Sequence, residues 1–180
     1  HATGFRQAGA EIIALCDVNQ AAAEKAAAKH GIAQVFTDVA AMLKALPELD
    51  AVSVIVPNKF HAPLALQALK AGKHVHCEKP IAPNGDDARE MMEAAEEAKI
   101  VTQVGYNYIK NPLISLARHM IAEGELGEIT SFRGIHAEDY MADASGPITF
   151  RHDPAGGGAL ADIGSHALAT AEFLCGPIAR

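Results

Sequence analysis

The run AVSVIV at residues 51–56 constrains this chain more than any other stretch of its length. It is nearly continuous in apolar side chains and rich in β-branched ones. A strand with one wet face alternates apolar with polar, whereas a strand covered by helices on both faces reads as an unbroken run. Such coverage belongs to parallel sheets, whose crossovers are helices. The flanks agree. Before the run, Asp38 is placed to cap a helix carrying Val39, Met42, Leu43 and Leu46, which Pro47 ends. After it, Pro57-Asn58 breaks the strand, and Pro63 suits the first turn of a helix that stops at Gly72.

The same alternation extends along the first hundred residues. Expected strands are 11–16 (EIIALC), 35–36, 51–56, 74–77 and 100–104. Between them lie QAAAEKAAAKH, made of strong helix formers with Asn19 as N-cap and Gly31 as stop, and a helix from about residue 87 to 98. Strand-helix alternation with right-handed crossovers builds an open, doubly wound α/β sheet. Ligands of such sheets collect at the carboxyl ends of the strands. Three polar clusters sit there: Asp17, Pro57-Asn58 and Glu78-Lys79-Pro80.

The texture changes after Gly105. Asn111-Pro112 opens a helix to about residue 123, residues 128–137 read as a longer strand, and a loop rich in Asp, Pro and Gly runs to Gly158. A last helix is expected over residues 159–174. One strand makes no sheet. The expected organisation is therefore a dinucleotide-type α/β domain over residues 1–108 and the incomplete start of an α+β domain over 109–180. The glycine loop G-x-G-x-x-G is absent. Residues 1–7 read as the end of the helix that follows such a loop, so the chain is expected to lack the first strand and phosphate turn.

Composition removes several function classes. Net charge is −7, from 15 basic and 22 acidic residues without a basic run, which disfavours a nucleic-acid backbone binder. No window reaches the ~18 uncharged apolar residues of a membrane helix. Cys16, Cys77 and Cys175 are odd in number and form no CxxC, so a disulfide or zinc scaffold is disfavoured and a cytoplasmic, reducing setting is expected.

Asp17 ends the first strand. An acid there accepts hydrogen bonds from ribose hydroxyls and repels a 2′-phosphate, and no Arg in residues 17–20 offsets that. NAD is therefore preferred to NADP. The plainer reading is a helix-capping Asp, and the residue alone leaves the two about even. Lys79 after a buried strand can polarise a substrate hydroxyl; on the tripeptide alone, a surface Lys paired with Glu78 is the stronger reading. Asp162 and His166 are four apart on a helix, hence on one face, where a carboxylate can orient an imidazole that acts as general base. The spacing also suits two metal ligands, but no further ligand is near in sequence, so no metal is expected. His74 and His76 share one strand face and are expected to pack under helices. His61 is close enough to Asn58 to reach the crevice, and His136, Tyr140 and Arg151 are candidates to line a polar pocket.

Two longer motifs bind these residues together. PNKFHAPLALQALKAGKHVHCEKPIA (57–82) resembles the signature PN-x-x-H…AL-x-AGKHV-x-x-EKP of the Gfo/Idh/MocA oxidoreductase family, and GGGALADIGSHAL (156–168) resembles its second signature, GGG-x-x-x-D-x-G-x-H. The resemblance implies a Rossmann-like domain, then an α+β domain with an open antiparallel sheet that often forms dimers or tetramers. It implies hydride transfer between NAD and a secondary hydroxyl of a sugar, cyclitol or related polyol. Lys79 would hold the substrate oxygen, His166 would take the hydroxyl proton, and Asp162 would support it. Asp17, Asn58, His61, Glu78, Lys79 and Arg151 would lie on the cofactor side, and Pro80 is expected to be cis. The substrate loop, residues 136–151, is where members differ. Alternatives are an NAD-dependent glycoside hydrolase, which cleaves without net NADH, and a dinucleotide-binding regulator without turnover.

Overall fold

The computed structural model describes residues 1–149, 152 and 158–178. A short helix α1 (Ala2–Gln7) leads into five strands: β1 (Ala14–Cys16), β2 (Gln34–Phe36), β3 (Ala51–Val54), β4 (His74–Cys77) and β5 (Thr102–Val104). Between successive strands run α2 (Gln20–His30), α3 (Val39–Ala45), α4 (His61–Lys70) and α5 (Gly85–Ala98). A 3-10 turn (Asn107–Lys110), α6 (Pro112–Ala122), a π-helical turn (Leu160–Gly164) and α7 (Ser165–Cys175) follow.

The helix starts are made by the residues that the sequence offers. The side chain of Asn19 accepts from the Ala22 N–H, that of Asp38 from Ala41, and that of Asn111 from Leu113. Asn84 accepts from both Asp86 and Asp87, so α5 begins at Gly85, two residues earlier than its apolar pattern suggests. Gly31 ends α2 in the left-handed conformation, φ 60°, where a Cβ is unfavourable.

All strand pairings among the described residues are parallel. They form two sheets, β1-β2 and β3-β4-β5, with no ladder between β1 and β3. The Rossmann order 3-2-1-4-5-6 accounts for this. Its neighbouring groups 3-2 and 4-5-6 reproduce the two sets of pairings seen among the described residues.

The core lies between the larger sheet and its helices. Val54, Val75 and Cys77 meet Ala65, Ala68 and Leu69 of α4, with Met91 arriving from α5. The opposite face is less covered than the AVSVIV run suggests: Ala51 and Ser53 are exposed while Val54 is buried. β4 alternates as expected. Val75 and Cys77 enter the core, and His74 and His76 face the other way. There His76 packs edge-on against Phe5 of α1, ring centroids 5.5 Å apart, and its Nδ1 is hydrogen-bonded with the Ser53 hydroxyl at 2.9 Å. His74 is exposed and accepts from the Val101 N–H.

Two expectations need correction. Residues 128–137 form no strand, because no neighbouring strand among the described residues offers a ladder partner. The final helix occupies residues 158–175, close to its expected span, but holds a π-helical turn (Leu160–Gly164) rather than α-helix throughout. No helix among the described residues is long and apolar enough to cross a membrane.

Ala65 and Ala68 have no exposed surface, which sets how closely α4 approaches the sheet. Ala68→Leu is expected to lower stability by about 1–3 kcal/mol through overpacking. A lower urea midpoint with unchanged slope and helical content would show it; an unchanged midpoint would mean that α4 is loosely seated.

Candidate active site

β4 ends at Cys77, and the chain passes directly into Glu78, Lys79 and Pro80. The Glu78 N–H still bonds to the Val54 carbonyl, so this turn begins rigidly on the sheet. The Lys79–Pro80 peptide is cis. The Lys79 side chain leaves the turn toward the second half of the chain. Its Nζ donates to the Asp162 carbonyl at 2.6 Å and to Oδ1 of the same residue at 2.8 Å. The two side chains are only 17% and 16% exposed, so solvent screens the pair weakly. Asp162 Oδ2 accepts from the Tyr140 hydroxyl at 2.7 Å. One carboxylate thus joins a strand end, a long loop and the turn before α7.

Asp162 sits in the π-helical turn. Such a turn widens the helix and re-aims its side chains, and it recurs at functional sites. One turn on, His166 is 6% exposed. It stacks on His136, with centroids 5.3 Å apart and planes at 17°, and meets the rings of Tyr108 and Tyr106 edge-on at 4.7 and 5.8 Å. Its Nδ1 is buried with no hydrogen-bond partner among the described residues. Burial foremost, then the charges of Lys79 and His136, hold the His166 imidazole below its ordinary value; Glu78 and Asp162 oppose them. The neutral ring is favoured, which is the form that accepts a proton. His136 is itself held by Glu138, Nε2 to Oε1 3.0 Å, and the Tyr108 hydroxyl approaches the same oxygen at 3.4 Å.

An open cavity of about 550 Å³ is bordered by Phe5, His76, Glu78, Gly105 and Tyr106. Glu78 Oε2 accepts from the Lys79 N–H, and Oε1 lies 3.3 Å from His1 Nε2. Asp17 is exposed at the carboxyl end of β1, where Oδ1 accepts from the Asn19 N–H at 2.8 Å. Asn58 is half-buried in the 3-10 turn after β3. These positions suit a dinucleotide: a carboxylate at the first visible strand end, then a polar floor at the β3 and β4 ends.

His61 departs from its expected place. It is fully buried, and both ring nitrogens are engaged by backbone carbonyls, so it lines no crevice. Arg151 and Phe150 lie outside the described residues, as do Gly156 and Gly157. Among the described residues no cluster of three or more His, Cys, Asp or Glu could hold a metal ion. The three cysteines are unpaired; burial, helped by the charge of Glu78, pushes the Cys77 thiol up to about 12, which makes it unreactive.

The model of an oxidoreductase family with an NAD-binding Rossmann fold matches residues 1–106, and that of the Gfo/Idh/MocA C-terminal domain matches 114–180. The chain belongs to the Gfo/Idh/MocA family. It is 36% identical over 164 residues to levoglucosan dehydrogenase of Pseudarthrobacter phenanthrenivorans, covering 90% of this chain and 42% of that protein. It is 36% identical to D-glucoside 3-dehydrogenase of Escherichia coli K12, covering 92% of this chain and 47% of the relative. A solved levoglucosan dehydrogenase in complex with NADH and levoglucosan superposes with a TM-score of 0.86 at 36% identity, over 91% of this chain and 44% of that one. The chain thus spans less than half the length of these relatives.

Three residues at the candidate site escape a reading of single motifs: Tyr106, Tyr108 and Glu138. The signals were present. GYNY follows the carboxyl end of β5, where ligands gather, and Glu138 is two residues from His136 in extended chain, hence on the same side.

Gly105 allows the close seating of Glu78. A Cβ there would lie 2.8 Å from Glu78 Oε1. Gly105→Ala is expected to displace the carboxylate and cost about 1 kcal/mol as its bonds to Lys79 and His1 break. In a double-mutant cycle with Glu78→Ala, the two losses should fall well short of additive; full additivity would show that the glycine serves something else.

Proposed function

We propose that the protein is an NAD-dependent dehydrogenase of a sugar, cyclitol or related polyol, working as a homo-oligomer. The observation that carries the proposal is the meeting of Lys79, Asp162 and His166 in one half-buried cluster, although Lys79 and Asp162 are 83 residues apart.

Each group has work suited to its surroundings. The nicotinamide, when bound, accepts the hydride from the carbinol carbon. Lysine has three N–H donors, and Asp162 takes two from Lys79, leaving a third for a substrate oxygen. An ammonium held in weakly solvated surroundings stabilises the developing alkoxide. His166, kept neutral mainly by burial, takes the hydroxyl proton. Asp162 holds Lys79 in place, and its charge makes a small contribution toward protonating His166. In this reading Asp17 accepts from ribose hydroxyls, and Asn58 and Glu78 lie on the cofactor side; the acid at Asp17, with no Arg over residues 17–20, favours NAD over NADP. Arg151 retains a cofactor-side role in this reading.

The test follows nicotinamide absorbance with NAD or NADP against a panel of aldoses, anhydrosugars, glycosides and cyclitols. NADH formed with one class is the expected result and names the substrate class. A strong NADP preference overturns the reading of Asp17. Glycoside cleavage without net NADH identifies the hydrolase, and tight NAD binding without either reaction identifies a regulator.

Two variants sharpen it. Lys79→Ala is expected to lower turnover by about 10²–10³-fold while NAD affinity stays nearly constant; unchanged turnover removes Lys79 from the chemistry. In the oxidative direction the rate should fall on the acid side as His166 protonates, with a midpoint below the ordinary 6.5. Because the charge of His136 depresses this midpoint, His136→Asn should move it upward. A limb at or above the ordinary value in the unaltered protein excludes His166 as the base.

A further inference from the structure

We infer that Tyr140 is a positioning residue for Lys79 that acts through Asp162: its hydroxyl fixes the carboxylate against which the Lys79 ammonium is aimed. The inference rests on the reading of Lys79 as a catalytic group.

Lys79 and Asp162 do not set that geometry by themselves. A lysine ammonium ends a flexible aliphatic stem. An aspartate carboxylate turns about a terminal sp³–sp² bond, whose torsion is broad rather than held in staggered wells. Lys79 Nζ donates to the Asp162 carbonyl at 2.6 Å and to Oδ1 at 2.8 Å. The carbonyl belongs to the π-helical turn and is fixed with it, whereas Oδ1 is free to swing. Two mobile groups that hold each other leave the direction of the remaining ammonium N–H loosely defined. An anchor from a third segment removes that freedom. The Tyr140 hydroxyl supplies it, donating to Oδ2 at 2.7 Å, a length typical of an O–H donor on a carboxylate.

Tyr140 is itself well seated. Residues 136, 138 and 140 alternate, and the side chains of all three meet the cluster, the period of extended chain. His136 stacks on His166 with ring centroids 5.3 Å apart, and its Nε2 lies 3.0 Å from Glu138 Oε1. The Tyr108 hydroxyl approaches that same oxygen at 3.4 Å. Two residues on, Tyr140 reaches Asp162 with a hydroxyl carried on a rigid planar ring. The long loop is thus laid against His166 and Asp162 together, and it takes part in aiming Lys79 rather than only walling the site.

The experiment compares the protein with Tyr140→Phe, which keeps the ring and removes the donor, and Tyr140→Leu, which removes both. Tyr140 is half-exposed, so loss of its hydroxyl leaves the fold intact, as circular dichroism and thermal unfolding would verify. The first readout needs no turnover: ¹⁵N relaxation of the Lys79 ammonium, assigned by its loss in Lys79→Arg. Its order parameter is expected to fall in both variants, while those of the exposed Lys25 and Lys29 of α2 hold. Turnover is read with NAD and whichever of D-glucose, methyl D-glucoside or myo-inositol the unaltered protein oxidises. In Tyr140→Phe it is expected to fall about 10–10²-fold, the loss typical of a misplaced group, with KM for NAD nearly unchanged. An unaltered Lys79 order parameter in folded Tyr140→Phe overturns the proposal whatever the turnover. Full turnover in Tyr140→Phe beside an impaired Tyr140→Leu also overturns it, since the ring would then serve packing and the hydroxyl nothing. If the unaltered protein oxidises none of the three compounds, that result counts against the dehydrogenase reading alone, and the order parameter still decides whether Tyr140 positions Lys79.

Discussion

The ion pair between Lys79 and Asp162 is the contact on which the site depends. It joins a strand end of the Rossmann half to the turn before α7, and both side chains are largely shielded. A pair of this kind adds little stability by itself, since desolvation offsets much of the attraction. Losing one partner is costly, because the other stays buried and uncompensated. The pair therefore acts chiefly on geometry. It brings the β4 end within reach of the His166 cluster, and it leaves Lys79 with a donor for an oxygen.

Around that pair the surroundings divide the labour. Lys79 lies against a carboxylate, while His166, one helical turn from the same carboxylate, has its imidazole held below the ordinary value mainly by burial among the packed rings. The π-helical turn makes this division possible by setting Asp162 toward Lys79 and Tyr140 rather than along a regular helix face. Two neighbouring ionisable groups thus meet opposite surroundings, a carboxylate for Lys79 and packed rings for His166.

Local features were legible where local physics decides them. Asn19, Asp38 and Asn111 cap the helices they were expected to cap, because an Asn or Asp at that place satisfies orphan N–H groups whatever lies beyond. The alternation of His74 and His76 with Val75 and Cys77 holds because strand side chains must alternate. Features set by distant partners were not legible. The AVSVIV run reads as covered on both faces, yet coverage depends on which helices cross it, and one face keeps exposed positions. Residues 128–137 have a strand composition but no neighbour among the described residues with which to form a ladder. His61 reads as a crevice residue from its closeness to Asn58, and only the packing around it shows that it is fully buried.

By itself, the sequence determined the α/β alternation, the ends of most helices, and the two motifs that hold Lys79, Asp162 and His166. These follow from periodicity, capping and side-chain chemistry, all of which act over a few residues. Tertiary structure alone decided that Asp162 serves Lys79 and Tyr140, that His136 and Tyr108 enclose His166, and that His61 is sealed beneath the site. Each of those depends on burial and on contacts between residues far apart in the chain. A residue's solvation, and hence its charge and role, is a property of the packed neighbourhood and is absent from the linear order.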